Sequence, residues 1–251
     1  MLSRDQKERY SRHLMLEGVG STGQERLLAG KVLVIGAGGL GSPATLYLAA
    51  AGIGTLGVAD ADIVELSNLQ RQILHTTADI GSPKTASARR KLEAINPETK
   101  LIPYQLRVAR DNIPELLNGY DFVLDCTDNF ETKFLINDAC VLAGKPYSHG
   151  GILRFSGQTM TVAPGRSACY RCIFPEQPDD STALACSRAG VIGVLPGVIG
   201  TIQATEAIKH LLGIGEPLLN RMLTYDSLRM KFREIPIRRS PECPICGTLR
   251  P

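Results

Sequence analysis

The chain reads as an α/β protein: a mostly parallel central sheet with helices on both faces, followed by antiparallel C-terminal strands and a metal-binding C-terminal part. Three observations predict this. Residues 32–35 (Val-Leu-Val-Ile) form a short, continuous apolar run, as expected of a parallel strand buried on both faces. The run leads into Gly36, Gly38, Gly39 and Gly41 and then into a helical stretch at 42–51, with Pro43 tolerated in its first turn. Beyond residue 151 the strand–helix alternation stops, and two C-x-x-C pairs appear instead.

The strand, the G-x-G-x-x-G turn and the helix start make a Rossmann-like anion site. Backbone N–H groups point outward there, and the helix dipole favours negative charge. The next strand is expected at 55–59 and ends on Asp60, about 20 positions past the glycines, where an acidic side chain suits a ribose hydroxyl. The glycine loop alone describes NAD, FAD and ATP binders equally. Upstream, 3–15 is expected as a helix capped by Ser3 with Gln6 three residues on, and it carries Arg12. A short helix at 21–28 leads into the central strand.

After Asp60 the chain is polar at Asp62, Glu65, Ser67, Asn68, Gln70, Arg71 and Gln72, with Leu69 inside the run. The carboxyl end of a parallel strand is where polar side chains line a ligand crevice. Gly81-Ser-Pro-Lys84 opens a helix with period-3.6 apolar positions at Thr85, Ala88, Leu92 and Ile95. Pro83 at the first helical position puts Lys84 in the first turn, at the positive end of the dipole. A cation is disfavoured there unless a phosphate accounts for it. Strands are expected at 100–108 and 121–126. The second ends in Asp125-Cys-Thr-Asp-Asn129 before a helix at 130–142, so Asp128 is read equally as a metal ligand or as the cap of that helix. A strand at 146–151 follows, then an antiparallel strand at 157–163, a helix at 196–212 and closing strands at 223–225 and 231–235.

Composition bounds the rest. The 251 residues carry a net charge of only +3, which argues for neither nucleic acid nor membrane as partner. The longest apolar region, 191–202, is too short to span a bilayer and contains Pro196. Seven cysteines without a secretory leader point to metal binding in a reducing cytoplasm. Cys169 and Cys172 with Cys243 and Cys246 form two C-x-x-C pairs suited to one structural Zn²⁺.

The glycine loop, Asp60, Ser67-Asn-Leu-Gln-Arg-Gln72, Lys84, Asp125-Cys-Thr-Asp-Asn129 and the paired C-x-x-C motifs together resemble the ThiF/MoeB/HesA adenylyltransferases, bacterial relatives of ubiquitin-activating enzymes. The resemblance spans 12–247 and implies an ATP-binding domain over 1–251. Its parts are N-terminal helices at 1–30, a nucleotide-binding core at 31–151 and a carrier-binding, crossover-loop and zinc region at 152–251. It implies a homodimer that uses ATP with Mg²⁺ to adenylate the C-terminal glycine of a ubiquitin-like sulfur carrier ending in Gly-Gly. A sulfur donor such as a cysteine desulfurase is a further partner. The pathway would be thiamine or molybdopterin biosynthesis or another that uses thiocarboxylates.

By the same resemblance, Lys84 and Arg71 hold phosphates, Asp128 binds magnesium, and Asp60 holds the ribose. Asn68 and Gln72 orient the triphosphate or the metal's water, Asp62 and Asn129 belong to the nucleotide site, and Arg12 acts from the partner subunit. Cys186 falls in the matching crossover loop. Such a thiol joins the carrier through sulfur in ThiF-like members and is dispensable in MoeB-like ones, and the residues leave both readings open. The competing classes are an NAD-dependent oxidoreductase, which would give no role to Lys84 or Arg71, and a non-catalytic carrier-binding protein.

Overall fold

The computed structural model describes residues 1–179 and 189–247. Among them, an eight-stranded sheet runs in the order β3-β2-β1-β4-β5-β6-β7-β8. The parallel part comprises β1 (Lys31–Ile35), β2 (Thr55–Ala59), β3 (Lys100–Tyr104), β4 (Phe122–Asp125) and β5 (Tyr147–Leu153). Antiparallel β6 (Ser156–Val162), β7 (Arg221–Asp226) and β8 (Lys231–Pro236) extend it from β5. From β1 the chain moves outward through β2 to β3, then returns to β4 on the other side of β1. The topological switch therefore falls between β1 and β4, where an open α/β sheet leaves a crevice at its carboxyl edge.

The sheet is covered on both faces, and the strands record this residue by residue. On one face Val32, Val34, Leu56, Val58, Phe122 and Leu124 pack in a core with α3 (Gly20–Ala29), α4 (Gly41–Ala51), α5 (Lys84–Ile95) and α8 (Leu195–Leu212). On the other, Leu33, Ile35 and Val123 pack with α6 (Ile113–Leu117), α7 (Phe130–Leu142) and the four paired cysteines. Period-2 alternation with both sides buried gives the unbroken apolar run seen in β1. The outer strand β8 is exposed throughout, and Lys231, Arg233 and Glu234 keep its open edge charged.

Three elements depart from the sequence reading. The N-terminal helix divides at Tyr10 into α1 (Arg4–Arg9) and α2 (Ser11–Leu14), although Ser3 and Gln6 do form the reciprocal cap. Tyr10 is buried, and its hydroxyl accepts from the Asn96 side chain at 2.8 Å, which anchors the break. β3 stops at Tyr104 rather than near 108, because its partner β2 ends at Ala59, directly opposite. The short α6 has too few turns to show a periodic signature.

Candidate active site

The glycine loop is held in a shape that other residues would destroy. Gly36 has φ +101°, and a Cβ there would meet the Cys126 carbonyl oxygen at 2.6 Å. A Cβ on Gly41 would lie 1.9 Å from the Gly36 carbonyl oxygen. Only glycine fits either position. Asp60 then locks the loop to the end of β2: one carboxylate oxygen accepts from the Ala37 N–H and the other from the Asp62 N–H, both at 2.8 Å. Each oxygen keeps a second lone pair directed elsewhere.

A cleft of about 830 Å³ opens along the carboxyl edge of the sheet. Gly36, Gly38, Gly39, Asp60, Asp62, Arg71, Gln72, Lys84, Asp128 and Asn129 all line it, so five separate segments of chain converge on one space. Arg71 touches only a backbone acceptor, the Ser67 carbonyl at 3.2 Å, and has no acidic partner among the described residues. Gln72 is buried against Gly38, and its Oε1 has no hydrogen-bond partner. That buried acceptor is costly unless a ligand or water engages it.

Lys84 is the first residue of α5, with Pro83 as the N-cap rather than as the first helical position. Its side chain is only 6% exposed, and its ammonium pairs with the Asp62 carboxylate at 2.8 Å. The dipole-opposed lysine is thus already compensated by a carboxylate, a partner the sequence reading had sought in phosphate alone. Asp128 is not the cap of α7. Asn129 takes that role, its side chain accepting from the Thr132 N–H at 2.9 Å. Asp128 is exposed in the cleft, and its carboxylate has no partner among the described residues.

Not every expected residue reaches this space. Ser67, Asn68, Leu69 and Gln70 are outside the cleft lining. Asn68 closes its own 3₁₀ turn, Oδ1 accepting from the Glu65 N–H at 3.2 Å. The Gln70 carbonyl faces Gly193, where a Cβ would come within 2.2 Å of it. Arg12 is exposed on α2 and does not line its own chain's cleft. Cys186 lies outside the described residues.

A second group at the cleft went unnoticed in the sequence. Asp125 is fully buried at the end of β4, with His149 directly opposite on β5. His149 Nδ1 is 2.9 Å from Asp125 Oδ2, the Lys133 ammonium is 3.2 Å from the same oxygen, and the Thr127 hydroxyl donates to Oδ1 at 2.7 Å. Burial favours the neutral acid at Asp125, but Lys133, His149 and Thr127 outweigh it and hold the carboxyl well below the usual range. Burial, reinforced by Lys133, lowers the pKa of His149. Lys133, His149 and Tyr170 all line the cleft. The Asp125–His149 contact exists only through strand register.

The four paired cysteines converge behind β6, with their sulfurs all within 4.8 Å of one another. Cys169 Sγ lies 3.6 Å from Cys243 Sγ, and Cys172 Sγ lies 3.4 Å from Cys246 Sγ. Four sulfurs tetrahedral about zinc at ~2.3 Å would stand about 3.8 Å apart, so the cluster fits that ion. The Ser240 N–H donates to Cys172 Sγ at 3.5 Å, the contact expected of a ligating thiolate.

A crevice at the switch point of an α/β sheet, with a glycine loop, a carboxylate closing β2, and Arg71 and Asp128 without ionic partners among the described residues, is the kind of site that nucleotide-binding enzymes carry. The ThiF family profile matches residues 10–245, and the chain belongs to the ThiF family. It is 49% identical over 246 residues to the SAMP-activating enzyme E1 of Haloferax volcanii, covering 98% of this chain and 91% of that protein. It is 47% identical to a sulfur carrier protein adenylyltransferase of Thermus thermophilus, covering 98% and 92%. Among solved structures, E. coli MccB with ATP superimposes with a TM-score of 0.85 at 28% identity, covering 95% of this chain and 73% of that one. No described helix is long and apolar enough to cross a membrane.

Proposed function

We propose that the cleft adenylates the C-terminal glycine carboxylate of a ubiquitin-like sulfur carrier, releasing pyrophosphate. The observation that carries this reading is the convergence of Asp60, Arg71, Gln72, Lys84 and Asp128 on one crevice beside the glycine loop. The two relatives' names, a SAMP-activating enzyme and a sulfur carrier adenylyltransferase, support it.

A terminal carboxylate, with a pKa of about 3.5, is already ionised and needs no general base. Its oxygen attacks the α-phosphorus of ATP. An O–P bond forms, the α–β bridge breaks, and the products are an acyl adenylate and pyrophosphate. The barrier lies in bringing an anion to a polyanion, so catalysis is positioning and charge compensation. Asp60 takes the ribose with the lone pairs the loop leaves free. Arg71 and Lys84 hold phosphate oxygens, Lys84 exchanging or sharing its Asp62 partner. Asp128 is the carboxylate available for magnesium, which supplies charge neutralisation at the departing pyrophosphate.

We further propose one catalytic unit over 1–251 and a homodimer in which Arg12 enters the partner's cleft. Exposed Met15 and Leu16 beside Arg12 fit a surface made for covering. Cys169, Cys172, Cys243 and Cys246 are proposed to hold zinc. Thiocarboxylate formation then draws on a sulfur donor, a cysteine desulfurase or another, and both readings of Cys186, sulfur-linked to the carrier or dispensable, stay compatible with it.

Nucleotide preference tests it. ATP with magnesium should raise the melting temperature of the protein, and NAD should not. Protection by NAD alone would favour the oxidoreductase reading.

A further inference from the structure

His149 Nε2 is a buried polar atom with no partner among the described residues, on a side chain only 1% exposed that lines the cleft. The ring is fixed from three sides. Asp125 Oδ2 holds Nδ1 at 2.9 Å, Tyr170 packs on the ring with centroids 4.5 Å apart, and the strand itself is clamped by the Lys133 ammonium on the Gly150 carbonyl. A carboxylate on Nδ1 makes that nitrogen the N–H donor, so in the neutral ring Nε2 carries the lone pair. An orphaned acceptor, held rigidly in a ligand cleft, calls for a donor from the ligand.

Sheet order says which part of the ligand arrives there. Asp60 ends β2, the glycine loop ends β1, Asp128 follows β4, and His149 sits on β5. Strands are about 4.8 Å apart, so His149 stands roughly 14 Å from the ribose end and beyond the phosphate loop. In-line displacement puts the incoming acyl chain opposite the leaving pyrophosphate; with Lys84 on Asp62 beyond β2 and Arg71 beside Gly39 drawing the pyrophosphate away from β5, the acyl chain comes from the β5 side. On the cleft side of β5 the next residue after His149 is Gly151, where a Cβ would lie 3.5 Å from His149 Nε2 and 3.3 Å from the Gln158 side chain, so the channel there is narrow and has no side chain of its own from the strand. That matches an extended tail without side chains, whose only donors are backbone N–H groups.

We propose that His149 is a positioning residue for the carrier tail, its Nε2 accepting a hydrogen bond from a backbone N–H of the terminal Gly-Gly. The bond orients the carboxylate toward the α-phosphorus and takes no part in proton transfer. This rests on the adenylation reading.

The test pairs enzyme and substrate changes in carrier-dependent ATP–pyrophosphate exchange. His149→Asn keeps a donor to Asp125 but cannot reach the Nε2 position, whereas His149→Gln places an amide oxygen near it. The substrate set is a Gly-Gly-ending carrier and semisynthetic versions with N-methylglycine at the last or the penultimate position. The Asn variant should raise the carrier KM about fivefold to tenfold, the worth of one neutral hydrogen bond, with the ATP KM unchanged. Gln should restore part of that loss. One N-methylated carrier should show a similar loss with wild-type enzyme and no additional loss with the Asn variant. Additive losses, or a change in the ATP KM instead, would overturn the assignment while leaving adenylation standing. The N-methyl series on wild-type enzyme decides the point even if the variants fold poorly, because no N-methyl effect at either glycine refutes the contact. Wild-type exchange that ignores the carrier would refute both readings.

Discussion

Removing the zinc proposed for the four-cysteine site should separate two functions of the cleft. Cys169 and Cys172 follow β6, and Cys243 and Cys246 lie beyond β8, each facing pair 74 positions apart in sequence. The loop between them contains α8, β7 and β8. A cross-link closing a loop of this length removes chain entropy worth on the order of 4 kcal/mol, on the model used for disulfides. For a chain of this size that is a melting shift of roughly 10 °C. The damage should not stop at the C-terminal strands. Tyr170, next to Cys169, packs against both Phe134 and His149 and lines the far end of the cleft. Asp60 and the glycine loop, by contrast, are held by β1, β2 and their own hydrogen bonds. Metal-free protein, prepared with a strong chelator and verified by elemental analysis, should melt about 10 °C lower. It should still be protected by ATP with magnesium, but should lose carrier-dependent exchange. Unchanged melting after complete metal loss, or freshly purified protein with no zinc and four titratable thiols, would refute the reasoning.

Two neighbouring residues should give opposite phenotypes. Asp128→Asn should leave the melting temperature within a degree or so but lower exchange by on the order of 10²–10³, because an exposed, unpartnered carboxylate contributes only to the reaction. Asn129→Ala should instead cost about 1 kcal/mol of stability, the worth of the α7 cap, which thermal melts will read directly. If the proposed dimer forms, mixing Arg12→Ala chains with Asp128→Ala chains should restore activity in verified heterodimers, since one of the two clefts then has both groups. Mixed dimers as inactive as either parent would place the arginine's action elsewhere.

Much of the core was legible because its signals are local. The apolar run of β1, the G-x-G-x-x-G spacing and Asp60 fall within one consecutive β-α-β unit, in which Gly36 and Gly41 are fixed sterically and Asp60 is fixed by its hydrogen bonds to the loop. The C-x-x-C pairs were legible for the same reason, although what brings them together is the antiparallel extension of the sheet. What escaped was register. Asp125 and His149 meet because β4 and β5 align those two residues, and no spacing in the sequence encodes that pairing. The ion pair of Lys84 also escaped, because Asp62 lies on a neighbouring segment, joined through the Ile63–Pro83 bridge. Asn68 looked like a ligand-facing amide in a polar run, yet its side chain competes for its own backbone, as Asn commonly does in tight turns.

The central claim is that a carrier carboxylate is the nucleophile toward ATP. Pyrophosphate exchange into ATP, measured with a Gly-Gly-ending carrier and with the same carrier lacking its last two residues, tests it most directly. Exchange should require magnesium and the intact carrier and should vanish with the truncated one. Exchange that proceeds equally without a carrier, or none with any Gly-Gly-ending carrier from the same source, would contradict it.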